Sequence, residues 1–260
     1  MKLCKSFLVA VAFSTLVGQA QTRPPLPHIV TVAATSDPVL NGANLVNTVA
    51  AINGLYGNLA SSSQPWVVHL DAGVYSVGSS VTVLPWVSIR GAGMFSTYIT
   101  TQCPTWCPKY GTVSIQQYVV ANCYVCIQSN AQSISDLTIS AGTAAPALHA
   151  EVGGQLLIDH VQLVQSGISL ANPSGTGLGA EFLMTSSAAQ FFVTNSVLHT
   201  ITTSAATSPG PGGLHWHVGI DALSSIASSE IDSPVIPWGV PFVCVADYNA
   251  TAKVLGNTCQ

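Results

Sequence analysis

Four β-rich runs crowd into the stretch from Val67 to Ile89: Val67–Leu70, Val74–Val77, Val81–Val83 and Val87–Ile89. Each is three or four residues long and closes on Gly, Pro, Asp or Ser. Runs this short do not cross a wide sheet, and the gaps between them leave no room for helices. The pattern predicts a coil of short strands in which each turn stacks on the one before.

A loose motif returns after residue 110, with an apolar or β-branched position, two polar or small residues and then apolar alternation. It reads Ile134-Ser-Asp-Leu-Thr-Ile139, Leu157-Ile-Asp-His-Val-Gln-Leu163, Val193-Thr-Asn-Ser-Val-Leu198, Ile226-Ala-Ser-Ser-Glu-Ile231 and Val254-Leu-Gly-Asn-Thr258. Matching Leu137, Val161, Val197, Ile231 and Thr258 gives spacings of 24, 36, 34 and 27. A turn of about 22–28 residues, sometimes lengthened by a loop, accounts for all four and marks a solenoid. Gly167-Ile168, Gly219-Ile220 and Gly239-Val240 read as corners, and Leu170–Gly179 and Thr202–Gly213 as inserted loops. Helical spacing occurs over about 39–57, with Leu45, Val49 and Ile52 on one face, Val46 and Ala50 beside them, Asn41 at the start and Gly57-Asn58 at the end. This helix is expected to cover the first open strand edge, which would otherwise invite association.

Lys2 and Lys5 precede an apolar run from Phe7 to Val17, and Gly18-Gln19-Ala20 supplies small residues for cleavage. That pattern predicts a signal peptide over 1–20 and a single domain over 21–260, with turns from about 66 onward. Secretion follows, with cell surface and periplasm as further locations. The apolar run is shorter than the roughly 20 residues needed to span a bilayer, and no later segment reaches that length. Without the leader, Arg23, Arg90, Lys109 and Lys253 face ten acidic residues, a formal charge of −6. Charged residues make up 6% of the chain, against roughly 25% in ordinary soluble domains. Nucleic acid is thereby excluded as a partner, since phosphate contacts need clustered Lys and Arg. A neutral, hydroxyl-rich partner fits better.

Cys103, Cys107, Cys123, Cys126, Cys244 and Cys259 remain after the leader. An even count behind an export signal favours disulfides. The expected arrangement links the 103/107 pair with the 123/126 pair and joins Cys244 to Cys259. A four-thiolate zinc site at 103, 107, 123 and 126 is the alternative, which an oxidising compartment disfavours.

The order of an apolar run, Asp71-Ala-Gly-Val-Tyr75, a turn, Val81-Thr-Val83, Leu84-Pro-Trp-Val-Ser-Ile-Arg-Gly-Ala-Gly93 and Thr97-Tyr-Ile99 resembles the N-terminal turns of the pectin-lyase-like right-handed parallel β-helix superfamily. It is most similar to uncharacterised secreted bacterial β-helix proteins of that group. The resemblance implies an all-β, single-stranded, right-handed parallel β-helix with a short N-terminal capping helix. It implies no activity, because one fold hosts many functions. The motifs of polygalacturonase-like and pectinesterase-like enzymes are missing from the sequence, and the basic residue of a pectate-lyase-like site has no counterpart after residue 110 except Lys253. Arg90 reads as a structural residue of the corner.

Candidate chemistry is therefore sought residue by residue. In Leu214-His-Trp-His-Val-Gly-Ile-Asp221, His215 and His217 share one strand face, a pair able to hold a metal with Asp221 or an acid from a neighbouring turn. Two surface histidines is the competing reading. Asp159 and Asp136 would bind calcium or split their pKa values if they stood in register. The alignment of Leu137 with Val161 offsets them, and turn capping is the preferred role. No motif supports a resident metal or cofactor. Among Trp66, Trp86, Trp106, Trp216 and Trp238, the loop residues Trp106 and Trp238 are the candidates for stacking on sugar rings, while Trp66 and Trp86 suit the core. The expected function is extracellular recognition of a polysaccharide or surface glycan. The alternative is a carbohydrate-active enzyme (lyase, hydrolase or esterase) using Asp159, His215, His217 and Asp221. An ice- or crystal-binding face is a third reading, and only Thr200-Ile-Thr202 suits it. The C-terminal edge is expected to be shielded by the Cys244–Cys259 link, by self-association or by further residues.

Overall fold

The computed structural model describes residues 26–54, 59–101, 112–116, 131–141, 147–165, 180–184, 190–200, 214–217, 224–231, 235–237 and 242–247. The predicted leader, the proposed corner glycines, both inserted loops, Trp106, Trp238, Asp221 and every cysteine except Cys244 lie outside these residues.

The described elements, in chain order, are β1 (His28–Val32), α1 (Pro38–Asn53), β2 (Trp66–Leu70), β3 (Gly73–Val77), β4 (Val81–Val83), β5 (Val87–Arg90), β6 (Thr97–Thr101), β7 (Val113–Gln116), β8 (Ala131–Ala141) and β9 (Leu148–Val152). They continue as β10 (Gln155–Gln165), β11 (Ala180–Met184), β12 (Gln190–Thr194), β13 (Val197–Thr200), β14 (Leu214–His217), β15 (Ser224–Ala227), β16 (Glu230–Ile231), β17 (Val235–Pro237) and β18 (Phe242–Val245). The four runs read from the sequence are β2 to β5, within a residue at each end. The protein is mainly β, with one helix among the described residues.

Every pairing between named strands is parallel. A large sheet runs β1-β2-β5-β8-β10-β12-β15-β18, with β3, β6, β13 and β16 attached beside that path. A small sheet runs β17-β14-β11-β9-β7-β4. Parallel neighbours need a crossover between them, usually a helix. Here the chain instead visits the small sheet between successive visits to the large one: β4 follows β3, β7 follows β6, β9 follows β8 and β11 follows β10.

Register converts the short apolar runs into a common core. Val30, Val68, Ile89, Ile134, Ile158, Val193, Ile226 and Cys244 succeed one another across the large sheet. All but Val30 are buried. Val81, Val113 and Leu148 do the same in the small sheet, as do Val83, Ile115 and Ala150. Each Val, Ile or Leu so buried contributes about 1.5–3 kcal/mol.

Between the two arms of β8, at the matching point of β10 and after β12, β15 and β18, one residue turns the chain. Asp136, His160, Asn195, Ser228 and Ala246 all have φ between 48° and 57°. After three of these corners a side chain of the next turn accepts from the N–H of the residue that follows. Ser196 Oγ accepts from Val161 N at 3.2 Å, Ser229 Oγ from Ser196 N at 3.2 Å, and Asp247 Oδ1 from Ser229 N at 2.8 Å. The three are buried. This ladder corrects the alignment of the repeats. Leu137 does pair with Val161, but Gln162 pairs with Val197, so Ser196 and not Val197 matches Val161. Likewise Val197 pairs with Glu230, which shifts the expected Ile231 by one. The last described turn, in which Ala227 pairs with Val245, is shorter than any expected.

α1 buries Leu45, Val49 and Ile52 as its spacing predicted, with Val46 half-buried and Ala50 exposed. Its cap is different. Asp37 starts the helix, its Oδ1 accepting from Val39 N at 2.9 Å and Leu40 N at 3.2 Å, with Pro38 in the first turn, and the helix ends at Asn53 before Gly54. Asn41 is instead fully buried: its Oδ1 accepts from Thr35, while its Nδ2 donates to Thr35 O and to Val74 O, each at 3.0 Å. Asn53 Nδ2 donates to Thr82 O at 2.8 Å. β3 and β4 are end strands of their ladders. Two amides of the helix therefore occupy carbonyls that an incoming strand would otherwise take. The approach is close enough that a Cβ on Gly42 would collide with the carbonyl of Ser76.

Tyr75, from the Gly-Val-Tyr run, is fully buried, and its hydroxyl lies 2.8 Å from Val32 O and 3.1 Å from Asp71 O. Burial, aided by the Asp71 charge, pushes its pKa up to about 12.

Candidate functional site

Side chains alternate along a strand, so the positions between the core residues of the large sheet form its outer face. One outer rank runs Ile29, Val67, Ser88, Ser133, Leu157, Phe192, Ser225 and Val243. Ile29, Leu157 and Val243 are exposed. Beside this rank lies a groove of about 470 Å³, lined by Pro27, Pro65, Trp66, Gln132, Gln155 and Phe192 together with Val67, Ser88, Ser133, Leu156 and Leu157. No charged residue lines it.

Trp66 opens β2 and is half-buried, its ring stacked on His28 with centroids 5.0 Å apart. Gln132 occupies a core position on β8, 3% exposed, between Val87 and Leu156. Its Nε2 donates to Leu84 O at 2.6 Å and Val87 O at 3.0 Å, which pins the Pro85-Trp86 turn whose Trp86 has φ 67°. Gln132 Oε1 and Trp66 Nε1 are buried without a hydrogen-bond partner. Gln155 Nε2 lies 3.4 Å from Gln190 Oε1 on the next strand. Aromatic rings, amides and hydroxyls thus meet along one neutral channel.

Two residues further along the strands the outer rank is polar as far as Thr194, running Thr31, His69, Arg90, Ser135, Asp159 and Thr194 before Ala227. Arg90 Nε contacts Asp136 Oδ2 at 3.1 Å, an exposed pair of small energetic weight. Asp159 accepts from Thr194 Oγ1 at 2.7 Å and Asn195 Nδ2 at 3.0 Å, with His160 Nδ1 at 3.2 Å. Burial pulls its pKa up, but the bonds from Thr194, Asn195 and His160 and the imidazole's charge outweigh that and hold it below the usual carboxylate range. Asp159 pairs with Ser135, so Asp136 is offset from it by one residue, as the sequence alignment implied. Asp159 fastens one corner to the next.

The residues of the enzyme alternative do not share a surface strip. Asp159 stands on the large sheet, while His215 and His217 belong to β14 of the small sheet. Asp221, Trp106 and Trp238 lie outside the described residues. The sequence reading placed Trp66 in the core, against which it packs half-buried, and did not single out Phe192 or Gln132. Their only common signal is register, because they come from strands far apart in the chain. Among the described residues, no three His, Cys, Asp or Glu side chains gather in a way that would hold a metal ion. No described helix is long and apolar enough to cross a membrane.

No family model matches the chain, and no curated protein matches it. Among solved structures it is similar to ORF18 of Geobacillus virus E2, with a TM-score of 0.42 and 13% sequence identity. That match covers 85% of this chain and 48% of the other, so the chain spans about half the length of the structure it matches.

Proposed function

We propose that this chain is a secreted, single-domain, right-handed parallel β-helix of the pectin-lyase-like kind that recognises a neutral polysaccharide or surface glycan through the groove beside Trp66. The uncharged lining of that groove carries the reading. Sugar rings present apolar C–H faces that stack on indole and phenyl rings, and their hydroxyls exchange hydrogen bonds with amides and hydroxyls. Neighbouring strands stand about 4.8 Å apart, close to the length of one pyranose unit, so successive strands offer repeated contacts to a repeating polymer. The β-helix is supported by the all-parallel pairing and by the alternation of consecutive strands between two sheets.

Calorimetric titration of the secreted chain with a panel of neutral and acidic oligosaccharides tests this. Saturable binding of a neutral member, little changed by added salt, is expected, because no ion pair contributes. Preference for the acidic members would refute the neutral specificity. Release of reducing ends or unsaturated products during incubation would overturn recognition without catalysis.

A further inference from the structure

The helix expected to cover the first open strand edge covers β3 and β4 and leaves β1. All three strands end their ladders at this end of the molecule. Asn41 Nδ2 donates to Val74 O on β3, Asn53 Nδ2 donates to Thr82 O on β4, and Gly42 lets the helix backbone approach the Ser76 carbonyl. No side chain of α1 bonds to β1, which pairs with β2 alone among the described residues. His28 N donates to Pro65 O and Asp71 N to Val32 O, so the main chain of His28, Val30 and Val32 faces β2. N–H and C=O directions alternate along a strand, and those of Ile29 and Thr31 therefore point away from the sheet. No hydrogen bond reaches these outward groups among the described residues.

Open edges ordinarily carry a device against pairing, such as a lysine, a proline, a bulge or an inward charge. The strand His28-Ile-Val-Thr-Val32 has none of these, and Pro27 stops one residue short of it. Every residue after His28 is β-branched, a composition that favours strand pairing. Ile29 is 68% exposed and Leu26, just before the strand, 88%. The surface beside β1 is uncharged as well. Leu40, Ala43, Asn47 and Ala50 form the solvent side of α1, opposite the buried Leu45 and Val49. From residue 26 to residue 54, Asp37 at the helix start is the one Asp, Glu, Lys or Arg.

We propose that β1 is the contact through which two copies of this chain pair, edge to edge and antiparallel, about a twofold axis at Val30. The register is self-complementary. With Val30 opposite Val30, Ile29 of each copy stands opposite Thr31 of the other. Antiparallel strands exchange both N–H···O=C bonds at such a position, so the outward groups of Ile29 and Thr31 are satisfied in both copies. A twofold contact sets each surface against itself, which repels where the surface is charged and does not where it is neutral. A partner chosen by opposite charge has nothing here to engage. β1 is about 16 Å long and α1 about 24 Å, so an end surface about 20 Å wide gives roughly 500 Å² per copy and roughly 1,000 Å² per pair, where specific interfaces begin. The inference is independent of what the groove binds.

The test is sedimentation equilibrium of the full secreted chain over a range of concentrations, with a dimer of micromolar or tighter affinity expected. Thr31→Pro removes an outward N–H and no bond to β2, so the fold is kept while one donor is lost in each copy. It is expected to weaken pairing by about tenfold or more. Thr31→Val keeps the N–H and should leave the dimer intact. Hydrogen exchange needs no variant: the Ile29 and Thr31 amides should be slow above the dissociation constant and fast below it. The Val30 amide, which faces β2, should be slow in both. A monomer with fast Ile29 and Thr31 amides would overturn the proposal. So would a monomer in which those amides stay slow at every dilution, because another segment of this chain then holds the edge. A dimer undiminished in folded Thr31→Pro, or open-ended filaments in place of a dimer, would overturn it equally.

Discussion

The outer faces of the two sheets have little in common beyond their parallel strands. Along the large sheet, the rank from Val67 to Phe192 is uncharged and borders an open groove. Along the small sheet, the rank from Ser114 through His149, Glu181 and His215 gathers titratable residues, and Ser114 and His149 in it are buried. Both sheets share a single apolar core. Alternation leaves the inward positions to settle stability and frees the outward ones, so each face acquires its own chemistry at little cost to folding. The corner residues between the arms of the large sheet, Asp136, His160 and Asn195, belong to neither face.

That contrast breaks most visibly through ligand affinity. Replacing both Trp66 and Phe192 by Ala is expected to weaken glycan binding by about a hundredfold, roughly 1–1.5 kcal/mol per ring. Glu181→Gln should leave the same affinity within about twofold. If both sets of changes weakened binding equally, the faces would not be independent.

Next in size is Gln132→Leu. It strips the carbonyls of Leu84 and Val87 of their donor, and a loss of about 2 kcal/mol is expected in denaturant unfolding. An unchanged midpoint would mean that the Pro85-Trp86 turn, and the groove wall with it, does not depend on this amide.

The corners sharpen the comparison through pH. Asp159 has a depressed pKa in the fold, so its contribution is complete above the ordinary carboxylate pKa and is lost as pH falls through the lowered value. Asp159→Asn should cost about 1 kcal/mol at neutral pH and flatten the acid limb of stability. Asp247 works the other way. Burial raises its pKa against the bonds from Ser229 and Val245, so its stabilisation is present at low pH and lost as pH rises through the raised value. Asp247→Asn keeps an acceptor for Ser229 N and is expected to raise neutral stability by up to about 1 kcal/mol. Melting curves between acidic and neutral pH check both, and the smaller effect belongs to Asp247.

Much of the local structure was legible in the sequence because it rests on local causes. Runs of Val and Ile between Gly, Pro, Asp and Ser locate β2 to β5, and the spacing of Leu45, Val49 and Ile52 locates the buried face of α1. Tertiary use of polar residues was not legible. Asn41 has the chemistry of a helix cap, yet its amide serves the edge of β3, and Asp37 takes the cap. Ser196 misled the repeat alignment for a similar reason. A serine whose hydroxyl donates to Thr194 O and accepts from Val161 N fills the slot that Leu137 and Val161 hold in the preceding turns, and Ser229 and Asp247 follow it there. The groove escaped notice because Val67, Leu157 and Phe192 are neighbours by register alone.

The most direct measurement is a two-dimensional NMR titration of the labelled chain with a neutral oligosaccharide that binds it, following the Trp indole and Gln and Asn amide signals. Shifts confined to Trp66, Gln132, Gln155 and Gln190, with the His149 ring unmoved, are the predicted result. Shifts centred on the small sheet, with Trp66 and Gln132 silent, would contradict the assignment of recognition to the large sheet's outer face.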